Sequence, residues 1–203
     1  MSGVRRAVLA VLALVVLLAG CGGQTSSGTG FSGNRLDPPF KVSDVSLTDT
    51  SGQSYSLTKS TDKPLTLVFF GYTHCPDICG IVMANLATAV TRLSPGDAAK
   101  VDVVYVTTDP ARDTRPVLAR YLDHVHPGFI GLTGSLSDII AVAKPLAVGV
   151  SQGKKLPSGG YDVTHGTTIT AIDSHDRAPV YWSQETSSAQ FAADIHTLLA
   201  EGN

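Results

Sequence analysis

Charge is scarce in this chain. Only 16% of its 203 residues are Asp, Glu, Lys or Arg, and the 15 basic residues do not outnumber the 17 acidic ones. Nucleic-acid binding needs concentrated positive charge, so that class of partner is excluded. Cysteine is scarcer still, with three in all, too few for a disulfide-stapled mini-protein. No apolar run reaches the ~20 residues of a confident membrane span. No segment repeats, and nothing has the periodicity of a coiled coil or of collagen. What is present is a 43% hydrophobic composition. That rules out a wholly disordered chain and suits one domain large enough to bury a core.

Arg5 and Arg6 precede an apolar run from Ala7 to Ala19, within which Leu18-Ala19-Gly20-Cys21 begins. A basic start followed by an apolar stretch of this length makes a secretory signal, residues 1–20. An uncleaved anchor helix would want a longer run. Leu-Ala-Gly-Cys resembles the lipobox of bacterial lipoproteins, whose cysteine is acylated and becomes the first residue after cleavage. The resemblance implies lipid on Cys21 and a protein held at the cell membrane, facing the extracytoplasmic side. Cys75 and Cys79 are then left as a pair in a compartment where disulfides persist. Residues 21–37 read as a flexible tether, being Gly-, Ser- and Thr-rich as far as Gly33. Residues 38–203 read as the folded domain.

Within that domain Phe40–Leu47 and Ser54–Leu57 flank the turn residues Thr48–Gly52, as expected of a β-hairpin. Leu65–Phe70 is a short apolar run of the kind that forms a strand covered on both faces. Pro76–Leu93 carries Val82, Leu86, Ala89, Val90 and Leu93 at helical spacing. Val101–Thr107 is a second buried-type strand. A helix capped by Thr114 follows, with Pro116 early in it. Phe129–Leu132 reads as extended and Ser135–Val148 as helical, with Pro145 kinking or ending it. Gly149–Asp162 is a long irregular excursion, the sort of loop that is often functional. Thr167–Ile172 and Ala178–Trp182 form a second hairpin, and Ser188–Ala200 a last amphipathic helix. The order is that of a mixed α/β sheet layered with helices. The thioredoxin-like fold has this order, with an N-terminal β-hairpin and an inserted loop or hairpin before the histidine-bearing strand added.

Chemistry concentrates in Gly71-Tyr72-Thr73-His74-Cys75-Pro76-Asp77-Ile78-Cys79, directly after a buried strand and at the mouth of a helix. Four residues apart on a helix, the two sulfurs would share one face. The helix start favours thiolate, and Pro76 suits a first helical turn. Two adjacent thiolates repel unless a soft metal relieves them, and thiolates select Cu(I) and zinc over hard ions. A third ligand is needed, and His165, just before a core strand, is the candidate for a trigonal Cys2His site. The same pair also reads as a structural disulfide or as a dithiol exchanger, although Cys-x-x-x-Cys is not the usual Cys-x-x-Cys. A structural zinc site would want a fourth ligand, and none is obvious. His74 competes as a ligand but adjoins Cys75. His124, His126, His175 and His196 have no partner cysteines. Asp77 is a helix-start carboxylate able to tune the site from outside the ligand set.

Taken with Thr108-Asp109-Pro110-Ala111-Arg112-Asp113-Thr114, with Gly131-Leu132-Thr133-Gly134 and with the lone His165, the cysteine run resembles the signature of the SCO/SenC family. The resemblance covers the chain from about Pro38 to its end. It implies a membrane-tethered thioredoxin-like protein that binds copper through Cys75, Cys79 and His165. It further implies a metallochaperone, not an enzyme in the strict sense, that assists assembly of the dinuclear copper site of cytochrome c oxidase. Its implied partners are the copper-accepting subunit of that oxidase and a copper donor or thiol reductant. A membrane-tethered thiol-disulfide oxidoreductase acting on the acceptor's cysteines is the alternative. A peroxiredoxin-like peroxidase would need a resolving cysteine downstream of Cys79. The sequence departs from the family at Gly80, where proline is common, and at Asp173–Arg177, in place of a shorter turn. The loop around Asp109, Arg112 and Asp113 reads either as part of the family's site or as a solvated loop with a helix cap.

Overall fold

The computed structural model describes residues 30–155, 157 and 161–202. The expected signal, Cys21 with its lipid, and the tether as far as residue 29 lie outside the described residues. The N-terminal part of the domain holds β1 (Asn34–Lys41), β2 (Leu47–Asp49), β3 (Ser54–Tyr55) and β4 (Leu65–Gly71). Then come α1 (Ile78–Arg92), the short α2 (Pro95–Ala98), β5 (Val101–Thr107), α3 (Arg115–Val125), β6 (Ile130–Thr133) and α4 (Leu136–Ala143). The chain finishes with β7 (Val150–Lys155), β8 (Tyr161–His165), β9 (Ile169–Asp173), β10 (Arg177–Trp182) and α5 (Ser188–Glu201).

Eight strands form one sheet in the order β1-β10-β9-β4-β5-β6-β2-β3. β4, β5 and β6 run parallel, and β9 closes antiparallel on β4. Parallel neighbours require crossovers, which α1 and α3 supply. Every residue of β4 is buried, and the period of two sorts them between two cores. Leu65, Leu67 and Phe69 face a core shared with α1, α3 and α5. Val68 and Phe70 face the other, closed by Ile139, Val142 and Ala143 of α4. The parallel strands end on one side of the sheet, and it is there, where β4 gives way to α1, that Cys75 and Cys79 lie. This is the end at which open α/β sheets place their ligands.

Four expectations need correction. The first hairpin is β2 with β3, so Thr48 and Asp49 belong to its strand and residues 42–46 to none. The first strand begins at Asn34, inside the expected tether, and pairs with β10. Phe31 already packs against the core beside Trp182. Its register shifts between Arg35 and Phe40, across Pro38 and Pro39; proline cannot donate to a ladder and is confined to edges, which hid the strand. The irregular excursion is instead a two-stranded antiparallel hairpin, β7 with β8, separate from the main sheet. Only its base reaches the core, through Val150 and His165 among the residues whose burial is described, so it shows no run of apolar alternation. Helix α1 starts at Ile78, not Pro76, so Cys75 and Pro76 belong to the turn before it. At Pro145 the chain behaves as expected: α4 stops at Ala143, and a 3-10 turn, Lys144–Leu146, follows.

Gly71 shows how tightly the end of β4 is packed. A Cβ there would lie 2.7 Å from the hydroxyl of Tyr105, which is wholly buried on the neighbouring strand. Gly71→Ala is therefore expected to destabilise the fold by about 1–3 kcal/mol through overpacking, read as a lowered midpoint in urea at unchanged slope.

Candidate functional site

The turn carrying Cys75 is built by its own backbone and by a buried carboxylate. Cys75 N–H donates to Tyr72 O at 3.1 Å. Asp113, 0% exposed, accepts from Thr73 N at 2.8 Å, from the Thr73 hydroxyl at 2.6 Å and from the Thr107 hydroxyl at 2.7 Å. Thr108 donates its N–H and hydroxyl to Gly71 O, at 2.7 and 3.2 Å. Asp109 is also buried and pairs with Arg112, whose guanidinium lies 5.7 Å above the Tyr72 ring. The loop 108–113 is thus a clamp on residues 71–73, and the solvated-loop reading of it is corrected. Thr114 stands at the N-cap of α3 without a side-chain cap bond. Asp113 is not legible as an anchor from sequence, because a carboxylate in a charged loop looks solvated until its donors are assembled from two other stretches of chain.

Asp77 occupies the N-cap position of α1, yet its side chain caps nothing and is exposed. The backbone N–H groups of Asp77, Cys79 and Ile78, at the start of α1, favour the thiolate of Cys75 instead. Burial pushes Cys75 up, but a hydrogen bond from Cys79 and those N–H groups outweigh it, leaving the thiol below its ordinary value of 9.0. Cys79 is 1% exposed. Burial pushes its thiol up to about 12, reinforced by its hydrogen bond to Cys75. The thiolate is the nucleophile, so iodoacetamide is expected to alkylate Cys75 first, with a rate midpoint below pH 9. Cys79 is expected to resist until the fold is opened; peptide mapping after timed quenching separates the two.

His165 ends β8, opposite Val150. Its Nε2 lies 3.9 Å from the Cys79 Sγ, across 86 positions of sequence. Its Nδ1 is 2.9 Å from Gly166 O. A carbonyl only accepts, so Nδ1 carries the proton and Nε2 turns its lone pair toward the sulfur. Burial lowers the histidine's pKa, only partly offset by the Gly166 hydrogen bond, and Phe69 and Tyr72 meet the ring edge-on at 6.4 and 5.9 Å.

Metal–sulfur and metal–nitrogen bonds of about 2.3 and 2.0 Å at a trigonal angle put the two donor atoms roughly 3.7 Å apart. The observed 3.9 Å is close to that, and two thiols with one imidazole are a soft donor set. Cys79 stands between the other two groups. Among the described residues no three His, Cys, Asp or Glu side chains form a group that could hold an ion as they lie. A three-ligand site therefore requires a movement of Cys75 or His165. Both cysteines are free thiols. The other histidines lie elsewhere. His74 contacts the Thr73 hydroxyl and lies 3.7 Å from Asp113. His196 pairs with Asp97, and His126 stacks on Phe129. The turn Asp173–Arg177 sits at the opposite end of the sheet, where Asp173 pairs with Leu65.

The family model SCO1/SenC matches residues 34–200. This chain belongs to the SCO1/SenC family. It is 35% identical over 136 residues to the mitochondrial protein SCO2 homolog of Bos taurus, covering 66% of this chain and 51% of that protein. The chain spans about half the length of the mitochondrial SCO relatives it matches. The apo Sco1 protein from Thermus thermophilus superposes with a TM-score of 0.75 at 32% identity, over 83% of this chain and 96% of that one. Bradyrhizobium japonicum ScoI with copper bound superposes with a TM-score of 0.69 at 28% identity, over 78% and 99%. The mixed sheet with helices on both faces is the thioredoxin-like fold of these SCO proteins.

Proposed function

We propose that this protein is a copper metallochaperone. It holds copper through Cys75, Cys79 and His165 and assists assembly of the dinuclear copper site of cytochrome c oxidase, while lipid on Cys21 keeps it at the outer face of the cell membrane. The observation that carries the proposal is the His165 lone pair aimed at the Cys79 sulfur from a separate hairpin. An imidazole with its proton fixed on the far nitrogen is ready to bind a metal, and a structural role for His165 would not need that orientation. Family membership supports the metal, since SCO relatives are solved with copper bound. Two thiolates and one imidazole favour Cu(I) and leave coordination positions open, which suits capture followed by release. Oxidising Cys75 and Cys79 to a disulfide removes two electrons and two protons, and with them both sulfur ligands.

Cu(I) titration of the reduced protein against a competing chelator tests the reading. One equivalent is expected to bind tightly, and Cys75→Ser or Cys79→Ser to lose it. Tight binding retained by both serine variants would sink the site. A second reading, a thiol reductant acting on the acceptor's cysteines, is supported by the asymmetry of the pair. A half-exposed thiol of lowered pKa beside a buried one of raised pKa suits an attacking and a resolving sulfur. It requires no His165.

A further inference from the structure

From Ile78 to Thr91, α1 carries no charged side chain; its first is Arg92. A helix on the surface of a soluble domain ordinarily places charges on its outer stripe. Here the outer positions are Gly80, Ile81, Ala84 and Thr88. Ile81 is 59% exposed, the most exposed large hydrophobic residue among those described. Thr88 and Thr91 turn their hydroxyls back onto the carbonyls of Ala84 and Thr88, both at 2.8 Å, which occupies their donors within the helix. α5 packs alongside, and its exposed Ala189 and Ala193 widen the uncharged strip. Charges gather at the far end, as Arg92, the Asp97–His196 pair and Glu201. Toward the thiols Asp77 and Glu185 are exposed, Glu185 next to Thr186, whose carbonyl accepts from Asn85 of α1 at 3.4 Å, and His74 is exposed beside Cys75.

Two placements say what covers this face. Cys75 is the half-exposed sulfur and directly precedes the first turn of α1, which carries Gly80 and Ile81. A ligand taking metal from Cys75 must come within bonding reach, so the protein bearing it rests on that turn. The described part of the domain also begins at this end. β1 runs antiparallel to β4 by way of β10 and β9, which puts Phe31 at the end of the sheet where β4 finishes. That entry is pinned by buried Asp194, which accepts from Gly33 N at 2.8 Å and from the Trp182 indole at 2.7 Å. Ser32 N lies 3.0 Å from the same carboxylate oxygen.

We infer that Gly80, Ile81, Ala84 and Thr88 form the docking surface for the metal acceptor, a protein face with an uncharged, apolar centre and basic groups at the rim opposite Asp77 and Glu185. Interface centres are depleted of charge and their rims polar, and a face that buried an unpaired charge here would be rejected. The inference rests on the copper-carrier reading. In transfer, an acceptor ligand bonds Cu(I) as the bond to Cys75 opens. No electron moves, and the Cys75 sulfur keeps its pair as a thiolate.

The test uses the full-length protein in detergent, loaded with one Cu(I), and as probe the apo extramembrane domain of the oxidase subunit that carries the dinuclear site. Ile81→Glu and Ala84→Glu are expected to hold Cu(I) within twofold of the parent in chelator competition and to deliver it at least tenfold more slowly. Ile140→Glu, on α4 across the sheet, is expected to deliver at the parent rate. Ile81→Glu delivering as fast as the parent overturns the docking surface alone. A parent that holds Cu(I) yet delivers none overturns the carrier reading and this inference with it. A loaded parent that sediments as a dimer, with Ile81→Glu monomeric, assigns the face to self-association and likewise overturns the proposal.

Discussion

His165→Ala is expected to weaken Cu(I) binding by at least about a hundredfold, the upper end of what losing even an outer-shell partner of a metal ligand costs. Oxidation of the reduced pair by a small disulfide should proceed at nearly the parental rate, because the hydrogen bonds that hold Cys75 come from Cys79 and the backbone of α1. His165→Met separates the ligand role from packing: a thioether suits Cu(I), so part of the lost affinity should return although the imidazole is gone. The pH dependence has a definite sign. Burial lowers the pKa of His165 below 6.5, so Nε2 stays unprotonated to a lower pH than in a free histidine. Proton competition should therefore come from the two thiols alone while His165 is unprotonated, and the imidazole should add its own loss of Cu(I) affinity only as pH drops through its lowered pKa. Affinity in His165→Ala equal to the parent's would remove the third ligand and leave the thiol reductant as the better reading.

Asp113→Ala is expected to have the largest effect on stability of any single change near the site. It leaves the wholly buried Thr107 hydroxyl, and the N–H and hydroxyl of half-buried Thr73, without their carboxylate acceptor. Unsatisfied buried donors cost about 1–3 kcal/mol each, and rotation of the two hydroxyls recovers part of that. A net loss of about 3 kcal/mol follows, or roughly 6–12 °C in Tm for a domain of this size. Asp113→Asn keeps one carbonyl oxygen and should lose about half as much. The change should also reach the chemistry, because Thr73 precedes Cys75 by two residues. With the clamp gone, Cys75 should alkylate with a weaker preference over Cys79. A melting temperature within 1 °C of the parent would refute the clamp.

The apolar runs that became β4 and β5 were legible because a strand buried on both faces has to be apolar throughout, and both begin as read, at Leu65 and Val101. Helices α1, α3 and α5 were legible from their spacing, since each presents one stripe to the same core. Strand β1 and the β7–β8 hairpin were not. The first is interrupted by prolines on an edge, and the second is a sheet of its own; neither leaves the alternation that marks a half-buried strand. The start of α1 was misplaced by two residues, because Pro76 is as acceptable before a helix as within its first turn.

Residue chemistry alone determined which atoms matter: two sulfurs at a helix mouth and one imidazole before a core strand, in a chain without the positive charge for nucleic acid or the cysteines for a disulfide-stapled fold. Only the tertiary structure decided how they relate. It left Asp77 capping nothing, lowered the pKa of the Cys75 thiol at the helix start, buried Cys79, and brought His165 to it from 86 residues away. It also made Asp113 an anchor by collecting three donors around it. Local sequence carries side-chain chemistry and periodicity, whereas thiol acidity, tautomer and carboxylate burial depend on neighbours that only the folded sheet supplies.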